Sequence, residues 1–251
     1  MSRTFKNIAL IVAAGSGTRL SQDLPKQYLK IGNKTLLEIT LNTFLAHKDI
    51  DAVAVVISEH QEELFSKYIL PHDKLLEPTY GGKRRQDSVR LGLNYIEQFN
   101  PQKVLIHDAA RIFVQQDNIS KILKILQNKQ AACLVTKAVD TMRNIHGDQS
   151  HIVPRETLYK TQTPQAFNYE LIKNLHRKLQ DDDVTDDIAL MEKNNNYDIG
   201  YLESSPLNFK ITTAEDYKLA KKMMATEKVK VGMGFDAHRF KEAANSDNHI
   251  M

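Results

Sequence analysis

Residues 8–20 read Ile8-Ala9-Leu10-Ile11-Val12-Ala13-Ala14-Gly15-Ser16-Gly17-Thr18-Arg19-Leu20. The apolar run 8–12 is continuous rather than alternating, which predicts a strand buried on both faces. It passes without a spacer into a glycine-rich turn. Downstream, residues 35–46 place Leu36, Leu37, Thr40, Leu41, Phe44 and Leu45 on one helical face. The same alternation then repeats: strand 52–57, helix 61–68, helix 86–99 carrying Val89, Leu93 and Ile96, strand 103–107, helix 119–126 and strand 133–135. It resumes with helices 169–179 and 188–193, strand 209–211 and helix 214–224. Strands alternating with helices predict an α/β fold with a doubly wound, mostly parallel sheet. Such sheets hold ligands at the carboxyl ends of their strands, which directs attention to the loops after Val12 and Ile106.

Residues 138–159 interrupt the rhythm. They include Gly147 and Pro154 and carry no helical stripe, so 138–158 is expected to form a protruding β-arm, an element suited to a subunit contact. One domain is expected over 1–225. A new strand-like run, Val229-Lys230-Val231, begins just beyond it.

Composition narrows the function classes. The 251 residues are 41% hydrophobic and 26% charged, with a net charge of +3, ordinary values for a globular protein. No polybasic run with interleaved aromatics points to nucleic acid or membrane headgroups. The apolar run 8–14 is too short to span a bilayer and lacks signal-peptide flanks, so a cytoplasmic location is expected. Cys133 is the only cysteine; it lies in an apolar run and is expected to be a buried structural thiol.

Gly15 and Gly17 allow successive backbone N–H groups to converge on a phosphate. The P-loop pattern fails for want of Gly-Lys-Ser/Thr, and the dinucleotide pattern fails because Leu20 stands where a third glycine is needed. Instead Arg19 follows, and then Pro25-Lys26-Gln27-Tyr28, with Lys26 seven residues after Arg19. A guanidinium fork and an ammonium on one excursion can both reach a triphosphate. A tight strand-to-helix turn with two surface cations would use the same residues.

The pattern Ala-Ala-Gly-x-Gly-x-Arg followed by Pro-Lys-Gln resembles the nucleotide-binding segment of sugar- and polyol-phosphate nucleotidyltransferases. Further segments follow in order: Gly81-Gly82-Lys83-Arg84-Arg85-Gln86-Asp87-Ser88-Val89, His107-Asp108-Ala109-Ala110-Arg111, Asp140-Thr141-Met142, Arg155, Thr163-Pro164-Gln165, Thr185-Asp186-Asp187 and Asn208-Phe209-Lys210-Ile211-Thr212. Over residues 7–225 the set resembles the 2-C-methyl-D-erythritol 4-phosphate cytidylyltransferase family of non-mevalonate isoprenoid biosynthesis. The resemblance implies a Rossmann-like nucleotidyltransferase, with Ala13, Ala14, Gly15, Ser16, Gly17, Gly82, Arg85, Ser88 and Ala109 around the nucleotide. It implies Arg19, Lys26 and Lys210 as the catalytic cations and Asp108 as the ligand of Mg2+. Arg111, Thr141, Arg155, Thr163 and Lys210 would bind the phosphorylated polyol, with Thr141 and Arg155 supplied by the other subunit of a homodimer. Ile112 departs from the family's usual proline. The acidic run 181–187 is expected to open a helix capped by Thr185.

The chemistry so implied needs no general base, because the nucleophile is a phosphate oxygen that is already negative. Positioning and fixed positive charge would do the work. Transfer to another sugar or polyol phosphate, and a non-catalytic CTP-binding module, remain alternatives.

Near the C-terminus, Val231-Gly232-Met233-Gly234-Phe235-Asp236-Ala237-His238-Arg239-Phe240 is similar to the opening of the 2-C-methyl-D-erythritol 2,4-cyclodiphosphate synthase family. The resemblance implies that Asp236 and His238 are two ligands of a divalent metal such as Zn2+. A catalytic zinc ordinarily needs a third protein ligand and a cavity. Residues 226–251 are therefore expected to be a linker and an incomplete start of that domain, without cyclase activity.

Overall fold

The computed structural model describes residues 5–15, 24–179, 184–193 and 198–225. Along the chain these form β1 (Asn7–Val12), the ribbon β2 (Lys30–Ile31) and β3 (Lys34–Thr35), α1 (Leu36–Leu45), β4 (Ala52–Ile57), α2 (Glu62–Tyr68), β5 (Thr79–Tyr80), α3 (Arg85–Ile96), β6 (Lys103–Asp108), α4 (Gln116–Ile125) and β7 (Ala131–Lys137). Then come β8 (Met142–His146), β9 (Gln149–Val153), β10 (Tyr159–Asn168), α5 (Tyr169–Lys178), α6 (Ile188–Glu192), β11 (Ile199–Glu203) and α7 (Ala214–Met224).

Seven strands make the central sheet in the order β11-β7-β10-β6-β1-β4-β5. β1 is parallel to β4 and to β6, and β7–β11 and β4–β5 are also parallel. Both faces are covered, and β1 shows how its sequence achieves this. Ile8 and Leu10 join Val89, Leu93 and Ile96 of α3 and Ile172 and Leu175 of α5. Ala9 and Ile11 join Leu37, Leu41 and Phe44 of α1 and Ile119 and Ile122 of α4. Successive strand residues point to opposite faces, so a run with no polar member must be sandwiched. Each such aliphatic side chain contributes about 1.5–3 kcal/mol by leaving water.

β10 is the exception in direction, antiparallel to both β6 and β7. The chain leaves β7, makes the hairpin β8–β9, and returns as β10, with Tyr159 opposite Lys137 and Phe167 opposite Ala131. A strand that returns directly needs no crossover helix. The hairpin is a separate two-stranded sheet; Ile145 is 69% exposed and Ile152 58%. Gly147 has φ +57° at its turn, a conformation glycine adopts without penalty.

α1 and α7 begin with reciprocal caps. Thr35 accepts from Glu38 N–H while Glu38 accepts from Thr35 N–H, and Thr213 and Asp216 repeat the arrangement. Ala220 of α7 packs in a small cluster with Ile31, Leu36, Ala110, Ile112 and Ile211. Ile112, at the position where the family pattern has proline, is 4% exposed there, so the loop after β6 is held by packing. Cys133 is fully buried in β7, and burial pushes its thiol up to about 12; it is inert as a nucleophile at neutral pH.

Two expectations are corrected. Residues 209–211 are not a strand: Ile211 N–H reaches Ala110 O at 2.9 Å, but no ladder forms around that bond. Thr185 does not cap α6, which starts after Asp187; the nearby helical N–H of Ala189 is instead taken by Asp186 Oδ1 at 3.0 Å. No helix among the described residues is long and apolar enough to cross a membrane.

Candidate active site

β1 and β6 are adjacent and parallel, so their carboxyl ends open side by side. The loops that follow them, Ala13 to Gly15 and Ala109 with Ala110, form the floor of a cleft of about 270 Å³. A second cleft of about 250 Å³ adjoins it, lined by Arg111, Thr161, Thr163 and Thr185 among others. Arg85, Asp108 and Lys210 line both.

The wall opposite β1 comes from the loop before α3. A Cβ on Gly81 would fall 2.5 Å from Ala14 Cβ and 2.6 Å from Ser88 Oγ, and one on Gly82 would fall 2.5 Å from Asp87 Cβ. Only glycine lets this backbone lie so close to Ala14. Ser88 Oγ then accepts from Gly82 N–H at 3.1 Å, fixing the loop to α3. On the other side Gln27, 2% exposed, donates to Ala13 O at 2.6 Å and lies within hydrogen-bond distance of Gly15 O (3.0 Å) and Gln61 Oε1 (2.9 Å). It braces the start of the glycine-rich loop. Lys26 beside it donates to Ile211 O at 3.1 Å across 185 residues of sequence.

Asp108 is the electrostatic centre. Its Oδ1 lies 3.1 Å from Arg85 Nε, and its Oδ2 lies 2.9 Å from Lys210 Nζ and 3.5 Å from Arg111 Nε. Burial alone would raise its pKa, but Arg85, Lys210 and Arg111 more than reverse this and hold the carboxyl well below the usual range. Burial would likewise lower the pKa of Arg85, and the carboxylates of Asp187 and Asp108 push it above its ordinary value instead. Arg111 is lowered by burial, with Asp108 opposing; it also donates to Asn208 O at 2.9 Å. Around the Asp108 carboxylate cations predominate, an arrangement that can accept a polyanion.

His107 and Thr163 fasten Asp108 from behind. Arg111 O can only accept, so His107 Nε2, 3.1 Å away, carries the proton. His107 Nδ1 therefore accepts from the Thr163 hydroxyl at 3.0 Å. That leaves Thr163 Oγ1 to accept the Asp108 N–H at 3.1 Å. Burial lowers the His107 pKa to about 4, in keeping with the neutral ring this chain requires.

Of the residues singled out from sequence, Ala13, Ala14, Gly15, Lys26, Gly82, Arg85, Ser88, Asp108, Ala109 and Lys210 share the first cleft, and Arg111 and Thr163 line the second. Thr141 and Arg155 line neither: both are exposed, and Arg155 donates to Val139 O. Ser16, Gly17, Arg19, Asp236 and His238 lie outside the described residues. Sequence reasoning missed Gln27 as a brace. It also missed the role of buried Asp187, which pairs with Arg85 at 2.8 Å and His176 at 3.0 Å. No local periodicity distinguishes such residues, since their partners are remote in sequence.

The family model for 2-C-methyl-D-erythritol 4-phosphate cytidylyltransferase (IspD) matches residues 7–226. The chain belongs to the 2-C-methyl-D-erythritol 4-phosphate cytidylyltransferase family. A cytidylyltransferase of that name from Thermotoga neapolitana is 37% identical over 218 residues, covering 86% of this chain and 95% of the relative. The structure of 4-diphosphocytidyl-2C-methyl-D-erythritol synthase from Anaerococcus prevotii superposes with a TM-score of 0.77 at 31% identity, covering 88% of this chain and 96% of that one. The bifunctional enzyme IspD/IspF of Wolbachia pipientis is 36% identical over 249 residues; they cover 97% of this chain, which spans 62% of that relative's length.

Proposed function

We propose that this chain transfers the cytidylyl group of CTP to 2-C-methyl-D-erythritol 4-phosphate, releasing pyrophosphate and 4-diphosphocytidyl-2-C-methyl-D-erythritol. One observation carries the reading: Arg85, Asp108 and Lys210 form the common wall of two adjoining clefts. A nucleotide in the first cleft and a phosphorylated polyol in the second would bring two phosphates together at that wall.

A phosphate oxygen of the polyol attacks the α-phosphorus, the bond from that phosphorus to the bridging oxygen breaks, and pyrophosphate leaves with the electron pair. The nucleophile carries its charge already, so the protein's task is to hold two polyanions in line and neutralise the charge that spreads between them. Lys26 and Lys210 take the α- and β-phosphates, and Arg19 is proposed as a further cation for the triphosphate. Arg111 and Thr163 orient the incoming phosphate. Ala14, Gly82 and Ser88 enclose the base and ribose.

Asp108 suits Mg2+ accompanying the nucleotide. Among the described residues it is the one carboxylate lining the first cleft, and no group of three His, Cys, Asp or Glu stands together among them. Magnesium typically takes one or two carboxylates and fills its shell with phosphate and water. Bound there, it would neutralise phosphate charge; releasing Lys210 and Arg111 from Asp108 would turn them toward substrate.

Thr141 and Arg155 stand on or beside the exposed hairpin, away from both clefts of their own chain. In a homodimer joined through residues 138–158 they would complete the second cleft of the other copy. The proposed location is the cytoplasm, in keeping with a reaction that consumes CTP.

Pyrophosphate release with CTP, Mg2+ and methylerythritol phosphate, omitting each in turn, tests the reading. Release should need all three and fall when UTP, GTP or ATP replaces CTP. Equal turnover with another nucleotide or another sugar phosphate would assign a different transferase.

A further inference from the structure

Asp187 touches neither cleft, yet it is 1% exposed and ionised. Burial raises its pKa, and Arg85 and His176 bring it below its ordinary value. An isolated carboxylate so buried would be costly. Its Oδ2 lies 2.8 Å from Arg85 Nη1 and its Oδ1 lies 3.0 Å from His176 Nε2. Its backbone N–H donates to Gln165 Oε1 at 3.0 Å, and Gln165 is fully buried in β10. The residue is therefore held from two sides besides Arg85, its backbone by Gln165 of β10 and its carboxylate by His176 of α5.

Arg85 spans two acids with different surroundings. Its Nε meets Asp108, which lines both clefts, while its Nη1 meets Asp187, which lines neither. Its third nitrogen, Nη2, is buried with no hydrogen-bond partner among the described residues. A polyphosphate entering the clefts competes with Asp108 for Arg85, Lys210 and Arg111 together. It cannot compete with Asp187 in the same way, because Asp187 lies behind the guanidinium.

We propose that Asp187, held by His176 and Gln165, is a positioning residue for the transfer: it keeps the Arg85 guanidinium at the junction of the clefts when phosphates displace Asp108. This rests on the cytidylyl-transfer reading above. Without Asp187 the arginine can follow whichever phosphate binds first, and in-line geometry is lost. Donors fixed in advance stabilise developing charge without reorganising at the moment of reaction.

The test is a double-mutant cycle on the full chain. Asp187→Asn keeps the shape and removes the charge. It should lower kcat by up to roughly 10²-fold, the scale of an ångström-sized misplacement, while KM for CTP changes far less. Made in an Arg85→Ala background, the same substitution should cost no more than about twofold, since the residue it acts through is gone. A purely structural role predicts the same loss in both backgrounds and would overturn the proposal, as would unchanged kcat in the single variant. Thermal unfolding checks folding; should the Asn variant not fold, Asp187→Ser, too short to reach the guanidinium, carries the same expectations. Wild-type protein that releases no pyrophosphate would refute the cytidylyl-transfer reading itself. An active wild type with an indifferent D187N refutes only the role of Asp187.

Discussion

The Lys210 ammonium lies 2.9 Å from an Asp108 carboxylate oxygen, tying the irregular segment before α7 to the end of β6. Asp108 gathers two arginines on the same carboxylate, so one acid sets the positions of three cations. In Asp108→Asn those cations face a neutral amide. We expect kcat/KM to fall by ~10²–10³, by analogy with loss of one preorganised electrostatic contact. Unfolding free energy should drop by roughly 3 kcal/mol, the low end for a broken buried pair, because the Lys210 side chain is 35% exposed. The folded pKa of Asp108 is depressed, so its stabilisation is complete above the unfolded value of about 4 and is lost as pH falls toward the folded one. The gap between wild type and variant, measured by denaturant titration, should be constant from neutral pH down to about 5 and shrink below about 4. A gap that widens on acidification contradicts the assignment.

Lys26 is expected to act on substrate rather than on the fold. It lines the first cleft and donates to Ile211 O there. Lys26→Ala should keep its circular dichroism spectrum and melting profile yet lose about 10²–10³ in kcat. A folded variant with near wild-type turnover removes Lys26 from the mechanism.

His107 must be neutral to hold its place between Thr163 and Arg111 O. Its pKa of about 4 in the fold lies below the unfolded value of about 6.5, so protons favour the unfolded chain between those limits. Wild type should lose up to about 3 kcal/mol from this residue as pH falls from 6.5 to 4. His107→Gln, which can still donate to Arg111 O but does not titrate there, should lose correspondingly less across that window.

Gly81 is required by the approach to Ala14. Adding a methyl there forces a contact of 2.5 Å and pushes the loop off the nucleotide wall. Overpacking of this kind typically costs about 1–3 kcal/mol. If that falls on binding, Gly81→Ala raises the CTP dissociation constant about 5- to 150-fold, readable by isothermal calorimetry with the polyol phosphate absent. Unchanged affinity means the loop does not contact the nucleotide.

The elements with strong periodicity were legible in the sequence. Residues 8–12 read as a buried strand, which is β1, and the helical pattern over 214–224 matches α7, Ala214–Met224. The strands read poorly were those whose pattern depends on neighbours. β10 contains Gln162, Thr163 and Gln165, polar residues buried by bonds to other segments, so its burial left no hydrophobic signature. Residues 209–211 looked like a strand because Phe209 and Ile211 alternate with Lys210. In the fold that alternation serves a short apolar cluster on one side and Asp108 on the other. Motif order brought Lys26, Gly82, Arg85, Asp108 and Lys210 to one place. Gln27 sat inside a recognised motif and still went unread, because its role is a set of bonds to backbone oxygens that no residue pattern encodes.

The most direct test is the phosphorus NMR spectrum of the chain incubated with CTP, Mg2+ and 2-C-methyl-D-erythritol 4-phosphate. Cytidylyl transfer at the junction of the clefts requires one new diphosphate ester, with two coupled phosphorus signals, for each pyrophosphate released. Pyrophosphate accompanied by CMP, or by an unchanged polyol phosphate signal, would show that the two clefts do not bring their phosphates together.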